Sequence, residues 1–209
     1  MPREADLDAL LTRAQGGDVR AFEALLQSYL PKVRRFARAF ALVEADADDL
    51  AQDALMKVYK SLKLFRYQSA FSTWLFAITR NSFLDSAKSR AGRQRGVEDS
   101  LNERHARAPS EAPLADEELS REQEKARLWR ALRQVPAEFR SALVLFDLEG
   151  HTYDELAVIE GVPVGTVKSR LFRGRALLRK LLGEEQEASG TSSGTSQEPR
   201  SSKLPGSTS

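Results

Sequence analysis

The sequence predicts an all-α protein made of two small helical domains joined by a flexible linker. Three observations predict it. Apolar residues recur at helical spacing in almost every patterned segment, and no stretch alternates as a half-buried strand would. Residues 91–117 change character: Gly92, Gly96, Pro109 and Pro113 stand among many charges and few large apolar groups, which is a linker composition. Beyond Gly183 the chain turns to Ser, Thr, Gly and Pro, with too little apolar surface to fold. The expected division is a first domain over 1–90, a linker over 91–117, a second domain over 118–183 and a disordered tail over 184–209.

Each element has its own signal. Leu7, Leu10, Leu11 and Ala14 form an apolar stripe that stops at Gly16-Gly17. Asp18 is placed to cap the next helix, whose stripe runs through Phe22, Leu25, Leu26, Tyr29 and Leu30. Pro31 either kinks that helix or starts another, because a proline breaks the backbone ladder. Residues 47–62 make a third helix with Leu50, Ala54, Val58 and Leu62 on one face. Residues 65–70 lack a stripe and read as a loop, and Ser69 is placed to cap a helix from Phe71 to about Arg90. Helical pattern resumes near Glu118 and stops at Pro136. Three more helices follow, at 138–148 (ended by Gly150), 153–159 and 164–182.

Composition excludes several functions. The chain has no cysteine and two distant histidines, so a disulfide framework, a thiolate metal site and a Cys-His nucleophile are out. No Ser-His-Asp order, no paired carboxylates in an apolar setting and no phosphate loop of the GxxxxGK kind is present. We therefore expect no enzyme activity, cofactor, metal or small-molecule substrate. The longest apolar runs are too short for a bilayer and the N-terminus lacks an apolar signal core, so a cytoplasmic protein without membrane insertion is expected. Net charge is only +2, but the charges are segregated. Residues 163–183 hold six basic and no acidic groups, whereas 98–124 hold nine acidic and three basic. Such blocks are the footprint of a nucleic-acid partner.

The sharpest motif is HTYDELAVIEGVPVGTVKSRLFRGRALLRK at 151–180. Thr152 and Glu155 fit a capping box, Ala157 is small enough for a second helix to approach closely, and Gly161 is free to take positive φ in the turn. A short helix, a glycine turn and a second helix make a helix-turn-helix. Stepping about 100° per residue puts Val164, Val167, Leu171, Gly174 and Leu178 on one stripe and Ser169, Phe172, Arg173, Ala176 and Lys180 opposite. Phe172 therefore points outward among cations, where it suits a thymine methyl or a sugar surface. Lys168 and Arg173 reach base edges or phosphates, Ser169 donates to either, and the amides near Gly165 and Thr166 face a phosphate. Arg170 and Arg175 border the core stripe and are expected to grip phosphates.

Two further stretches carry candidate sites. Asp49, Gln52, Asp53 and Met56 share one side of the third helix. That side is either a first turn complementing the helix dipole or a docking face for a basic partner. In FSTWLFAITRN at 71–81 most apolar groups are core, but the polar Arg66-Tyr67-Gln68-Ser69 loop beside these aromatics is suited to hold an extruded base. A plain helix-turn-helix regulator accounts for 118–183 but for neither of these stretches.

With DADDLAQDALMKVYKSLKLFRYQSAFSTWLFAITRNSFLD at 46–85 and LRQVPAEFRSALVLFDLEGHTYDELAVIEGVPVGTVKSRLFRGR at 132–175, the sequence resembles the extracytoplasmic-function (ECF) sigma factors of bacterial transcription. The resemblance covers about residues 6 to 183. It implies a sigma region 2 domain and a sigma region 4 domain. It also implies binding to core RNA polymerase through Asp48, Asp49, Gln52, Asp53 and Met56, and control by an anti-sigma factor. Arg66, Tyr67, Gln68, Ser69, Ala70, Phe71, Trp74 and Asn81 would capture a flipped base of the −10 element of promoter DNA. Thr166, Lys168, Ser169, Phe172, Arg173 and Arg175 would read the −35 element. Family members often carry Arg-Gly-Asp where this chain has Arg66-Tyr67-Gln68, which bears on the base recognised.

Overall fold

The computed structural model describes residues 4–41, 46–96 and 116–190, so most of the expected linker and tail lies outside the described residues. Among the described residues every regular element is helical. α1 (Glu4–Gln15) and α2 (Val19–Leu26) form a hairpin through Gly17, whose φ is 97°. Asp18 caps α2 as expected: one carboxylate oxygen accepts from the Ala21 amide at 3.0 Å and the other pairs with Arg13 at 2.7 Å. The amide first, and then Arg13, hold the Asp18 carboxyl below its usual range. α3 (Leu30–Phe40) has Pro31 in its first turn, where a missing amide removes no helical bond, so the proline starts a helix. α4 (Asp46–Ser61) runs into a tighter turn at Leu62–Leu64.

α5 (Phe71–Gly96) departs from expectation at both ends. Ser69 does not cap it. Its hydroxyl donates to the Ala70 carbonyl at 3.4 Å, and Ala70 takes the capping place by accepting from the Trp74 amide at 3.2 Å. At the other end the helix passes Arg90 and takes in the first residues assigned to the linker. Glycine weakens a helix by about 1 kcal/mol without breaking it, so Gly92 did not stop one otherwise rich in Ala, Arg and Gln.

The second half holds α6 (Asp116–Gln134), α7 (Ala137–Leu143), α8 (Tyr153–Glu160) and α9 (Val164–Gly190). α9 outruns the boundary set at Gly183 because Glu184, Glu185, Gln186, Glu187 and Ala188 are good helix formers although they carry no apolar stripe. The single helix expected over 138–148 is α7 followed by a wider π turn at Val144–Leu148. There the Glu149 amide bonds to the Val144 carbonyl at 3.0 Å and the His151 amide to that of Leu145 at 3.0 Å. Gly150, at φ 76°, turns the chain into α8.

The first core centres on Phe36, whose ring lies 5.3 Å from Phe40, 5.1 Å from Phe83 and 6.1 Å from Phe76. In the second, α9 lies so close on α7 that a Cβ at Gly174 would come within 3.1 Å of Leu143 Cγ and 3.3 Å of Phe139 Cβ. The two halves also pack on each other, which the sequence reading did not anticipate. Arg80 of α5 is 6% exposed; its Nε donates to Ser141 Oγ of α7 at 3.0 Å and lies 3.5 Å from Glu160 Oε1, an ion pair. Arg35 of α3 pairs with the wholly buried Glu149 at 2.7 Å. Arg140 of α7 donates to the Ala39 carbonyl in the last turn of α3 at 2.8 Å. Phe76 stacks edge-on against His151 at 4.9 Å.

Burial acts on this interface. It raises the Glu149 carboxyl above its usual range, with Arg35 opposing. It lowers the His151 imidazole, Glu155 opposing and Lys32 adding to the depression. A histidine depressed in the folded state adds stability above its unfolded value, about pH 6.5, and that contribution is lost as pH falls. Glu149 acts with the opposite sign, since acid relieves its buried charge. Melting curves should show His151→Gln flattening the stability lost between about pH 7 and about pH 5.5. Parallel pH profiles for the two proteins would remove His151 as the cause.

Candidate nucleic-acid interface

The helix-turn-helix is built from its turn outward. Thr152 accepts from the Glu155 amide at 3.2 Å, and Glu155 accepts from the Thr152 amide at 2.8 Å, completing the capping box. The Thr152 amide is the main reason the Glu155 carboxyl sits below its usual range. Gly161 takes φ 65° and ends α8 in a left-handed cap. α9 then presents the faces that its periodicity requires. Val167, Leu171 and Gly174 are buried, while Lys168, Ser169, Arg173 and Ala176 are exposed. Phe172 is 77% exposed, the most exposed aromatic among the described residues.

The cations of α9 are not equivalent. Lys168 lies over the Tyr153 ring at 5.5 Å, a contact that steers the lysine without neutralising it. Ser169 donates to the Thr166 carbonyl at 2.8 Å. Arg175 is held by both oxygens of Asp147, at 2.5 and 3.2 Å, and lies over Phe146 at 5.5 Å. The hydrogen bond to Asp147 raises Arg175 above the usual guanidinium range. Arg170 turns inward to Glu160 at 2.6 Å and is not offered to a phosphate as its position beside the stripe led us to expect. Asp147 and Glu160 are partners that periodicity on one helix cannot find, because both lie on other elements.

The loop between α4 and α5 sits on an aromatic base. Phe65 is buried, with Tyr67 at 4.8 Å, Trp74 at 5.2 Å and Phe71 at 5.6 Å around it. Gln15 of α1 ties the loop down by donating to the Leu62 and Phe65 carbonyls at 3.1 and 2.9 Å. Arg66, Gln68 and Ala70 are exposed, and Ser69 is half-buried. Tyr67 has φ 56°, the sole non-glycine residue with positive φ among the described residues, and its ring is 50% exposed. A left-handed backbone costs a side-chain-bearing residue ~1–2 kcal/mol and suits glycine, the residue often found here in the family that the sequence resembles. Asn81, named with this loop by the resemblance, lies on α5. It opens onto a cavity of about 360 Å³ with Lys57, Lys60, Ser61 and Asp85. Neither Gln15 nor the lysines was singled out from the sequence. The spacing of Lys57 and Lys60 on α4 was the available signal for the latter.

Asp48, Gln52 and Met56 succeed one another at four-residue spacing along a groove of about 550 Å³ with Val19, Phe22, Leu55 and Tyr59 on its apolar walls. Asp49 and Asp53 are exposed beside it, and Asp48 pairs with Arg34 at 3.0 Å. No cluster of acidic or histidine side chains able to hold a metal occurs among the described residues.

Comparison with known proteins decides what carries these surfaces. Residues 25–93 match Sigma-70 region 2 and residues 125–178 match Sigma-70 region 4. The RNA polymerase sigma-H factor of Pseudomonas aeruginosa is 34% identical over 179 residues, which are 83% of this chain and 92% of that one. ECF RNA polymerase sigma factor SigM of Mycobacterium tuberculosis is 37% identical and is covered over 83% of its length. The chain belongs to the ECF sigma-factor family. This sigma factor is therefore a transcription initiation protein. Its fold agrees: sigma factor RpoE from Bartonella quintana, solved with the anti-sigma factor NepR, superposes with a TM-score of 0.62 at 31% identity, covering 78% of this chain and 96% of that one. No helix among the described residues of this sigma factor is long and apolar enough to cross a membrane.

The strain at Tyr67 gives a testable expectation. Tyr67→Gly would relieve ~1–2 kcal/mol of backbone strain, lose ~0.5–1.5 kcal/mol of ring contact and add unfolded-chain entropy worth ~0.4–1 kcal/mol. Stability in urea should therefore change by less than about 1 kcal/mol. A loss of several kcal/mol would make the ring a core element and not a displayed one.

Proposed function

We propose that this sigma factor docks on core RNA polymerase and directs it to promoters by reading two DNA elements with its two halves. The observation that carries the reading is Phe172, 77% exposed on α9 with Lys168, Ser169 and Arg173 around it, in a helix-turn-helix whose Leu156, Ile159, Val167 and Leu171 are buried. In the major groove of the −35 element Phe172 meets thymine methyls while Arg173 and Lys168 reach base edges or phosphates. Each good base contact is worth ~1–3 kcal/mol of discrimination. Thr166, at the helix start, lies where amides meet a phosphate. Arg175, clamped by Asp147, contributes position more than charge.

The loop Arg66 to Phe71, with Trp74, receives an unstacked base of the −10 element. Unstacking costs a few kcal/mol, and stacking on an aromatic ring returns ~1–3 kcal/mol per base. Tyr67 is the exposed ring available for it. Asn81, with Lys57 and Lys60, contacts an adjoining nucleotide or its phosphate. The groove beside Asp48, Asp49, Gln52, Asp53 and Met56 takes a basic, amphipathic helical segment of the polymerase, acids at its rim and apolar groups on its floor. An anti-sigma factor also binds the chain, a reading supported by the complex of sigma factor RpoE with NepR. The mechanism is binding throughout; no step breaks a covalent bond.

In vitro transcription with core polymerase on a genomic promoter library tests the reading. Absence of any promoter-specific transcript would overturn it. Arg173→Ala should reduce transcription by roughly 10-fold or more, the equivalent of one base contact, and leave co-elution with core polymerase unchanged. Equal loss of both would remove α9 as the −35 reader. Asp49→Lys with Asp53→Lys should abolish co-elution, and unchanged co-elution would sink the docking face.

A further inference from the structure

Two of the cations on α9 rest on rings that belong to other elements. Lys168 and Arg175 stand two turns apart, about 10.5 Å along the helix. Lys168 Nζ lies 5.5 Å over the Tyr153 ring, and Arg175 Cζ lies 5.5 Å over the Phe146 ring. The two rings are 4.6 Å apart with their planes inclined by 31°, so they stack on each other. The contacts thus run Lys168, Tyr153, Phe146, Arg175 in one series. Asp147 closes the series on Arg175 at 2.5 Å.

Both rings sit on fixed backbone. Tyr153 is the first residue of α8, directly after the Thr152 cap that Glu155 locks. Phe146 belongs to the π turn, which the Glu149 and His151 amides close onto the Val144 and Leu145 carbonyls at 3.0 Å. Neither ring is core: Phe146 is half-buried and Tyr153 is 37% exposed. Tyr153 lines a cavity of about 490 Å³ together with Phe172, Lys168, Arg175 and Arg179. The stack therefore stands on the same surface as the exposed Phe172.

A free lysine on a helix surface samples many rotamers and loses them when a phosphate or a base edge fixes it, which weakens binding. A ring beneath the ammonium takes that loss in advance. It also leaves the positive charge whole, since a ring, unlike a carboxylate, carries no net charge. Arg175 is treated otherwise: Asp147 offsets its charge and fixes its planar fork. The stack ties one fully charged cation to one clamped cation at a set spacing.

We propose that the Phe146–Tyr153 stack is a positioning element for −35 reading. It holds Lys168 at a fixed place relative to Arg175 before DNA arrives. Its effect passes through Lys168 and not through a contact of either ring with DNA. The proposal rests on the promoter reading above. Tyr153 and Phe146 are therefore positioning residues, the first acting through Lys168 and the second through Tyr153.

The test uses holoenzyme reconstituted from the full chain and core polymerase. Its templates are a promoter that the holoenzyme transcribes and the same promoter with a scrambled −35 element. Tyr153→Leu and Phe146→Leu keep apolar bulk and remove a ring. Each should reduce −35-dependent transcription about 3- to 10-fold and leave co-elution with core polymerase unchanged. Tyr153→Phe keeps the ring and should transcribe as the unsubstituted protein does. In a Lys168→Met background each leucine change should cost almost nothing further, because the residue it works through is gone. In the free protein the Lys168 ε-methylene protons should resonate upfield of their ordinary position under the Tyr153 ring current, and return to it in Tyr153→Leu. Full additivity of the leucine changes with Lys168→Met overturns the proposal, since the rings then act on their own. So does a loss in Tyr153→Phe as large as in Tyr153→Leu, which would make the hydroxyl a DNA contact. Two leucine variants are made so that one that fails to fold leaves the other to decide. If scrambling the −35 element changes nothing for the unsubstituted protein, the promoter reading fails and the positioning role with it, while the ring-current shift still reports the contact.

Discussion

Glu160 ends α8 with a carboxylate that no water reaches. Left alone, such a charge would cost several kcal/mol, so the fold must keep a cation on it. Arg170 does so from the recognition helix and Arg80 from α5. The first contact sets the rotation of α9 about its own axis: once Arg170 points inward, Val167 and Leu171 must face the core and Phe172 and Arg173 must face out. The second ties that same helix-turn-helix to the other half of the molecule. One carboxylate therefore governs both which residues of α9 face solvent and how the two halves stand to each other.

The same division of labour runs through the basic helix. Its positive charge looks uniform in the sequence, yet Arg170 and Arg175 already have carboxylate partners from α8 and the π turn. Asp147 and Glu149 leave that turn for opposite duties, one holding Arg175 and the other Arg35. Arginine suits both clamps, since its planar fork keeps its geometry where a lysine would swing.

Much of this was legible beforehand. The helical period gave the helices, the capping box gave the start of α8, and Gly161 gave the turn, because each depends on residues within one or two turns of each other. The wheel placed Phe172 outward for the same reason. What it could not place were partners from other elements: Glu160 for Arg170, Asp147 for Arg175, Gln15 under the 65–70 loop. Arg35 and Arg80 were not singled out, because nothing local marks a cation for burial. Helix ends also ran past Gly92 and Gly183, where intrinsic helix propensity outlasted the apolar stripe. Asn81 was grouped with the 66–71 loop by resemblance, yet it shares its cavity with Lys57 and Lys60.

Tyr67 joins a left-handed backbone to a ring braced on Phe65. Such a residue has few alternative wells to visit, so its ring is pre-organised before any nucleotide arrives. In the proposed complex, little torsional freedom remains to be frozen, and the entropy lost on capture falls mainly on the DNA. A glycine in that place would give the opposite bargain: a pliant loop that moulds itself to several bases. In the proposed complex, the rigid shelf narrows the set of shapes that this loop receives.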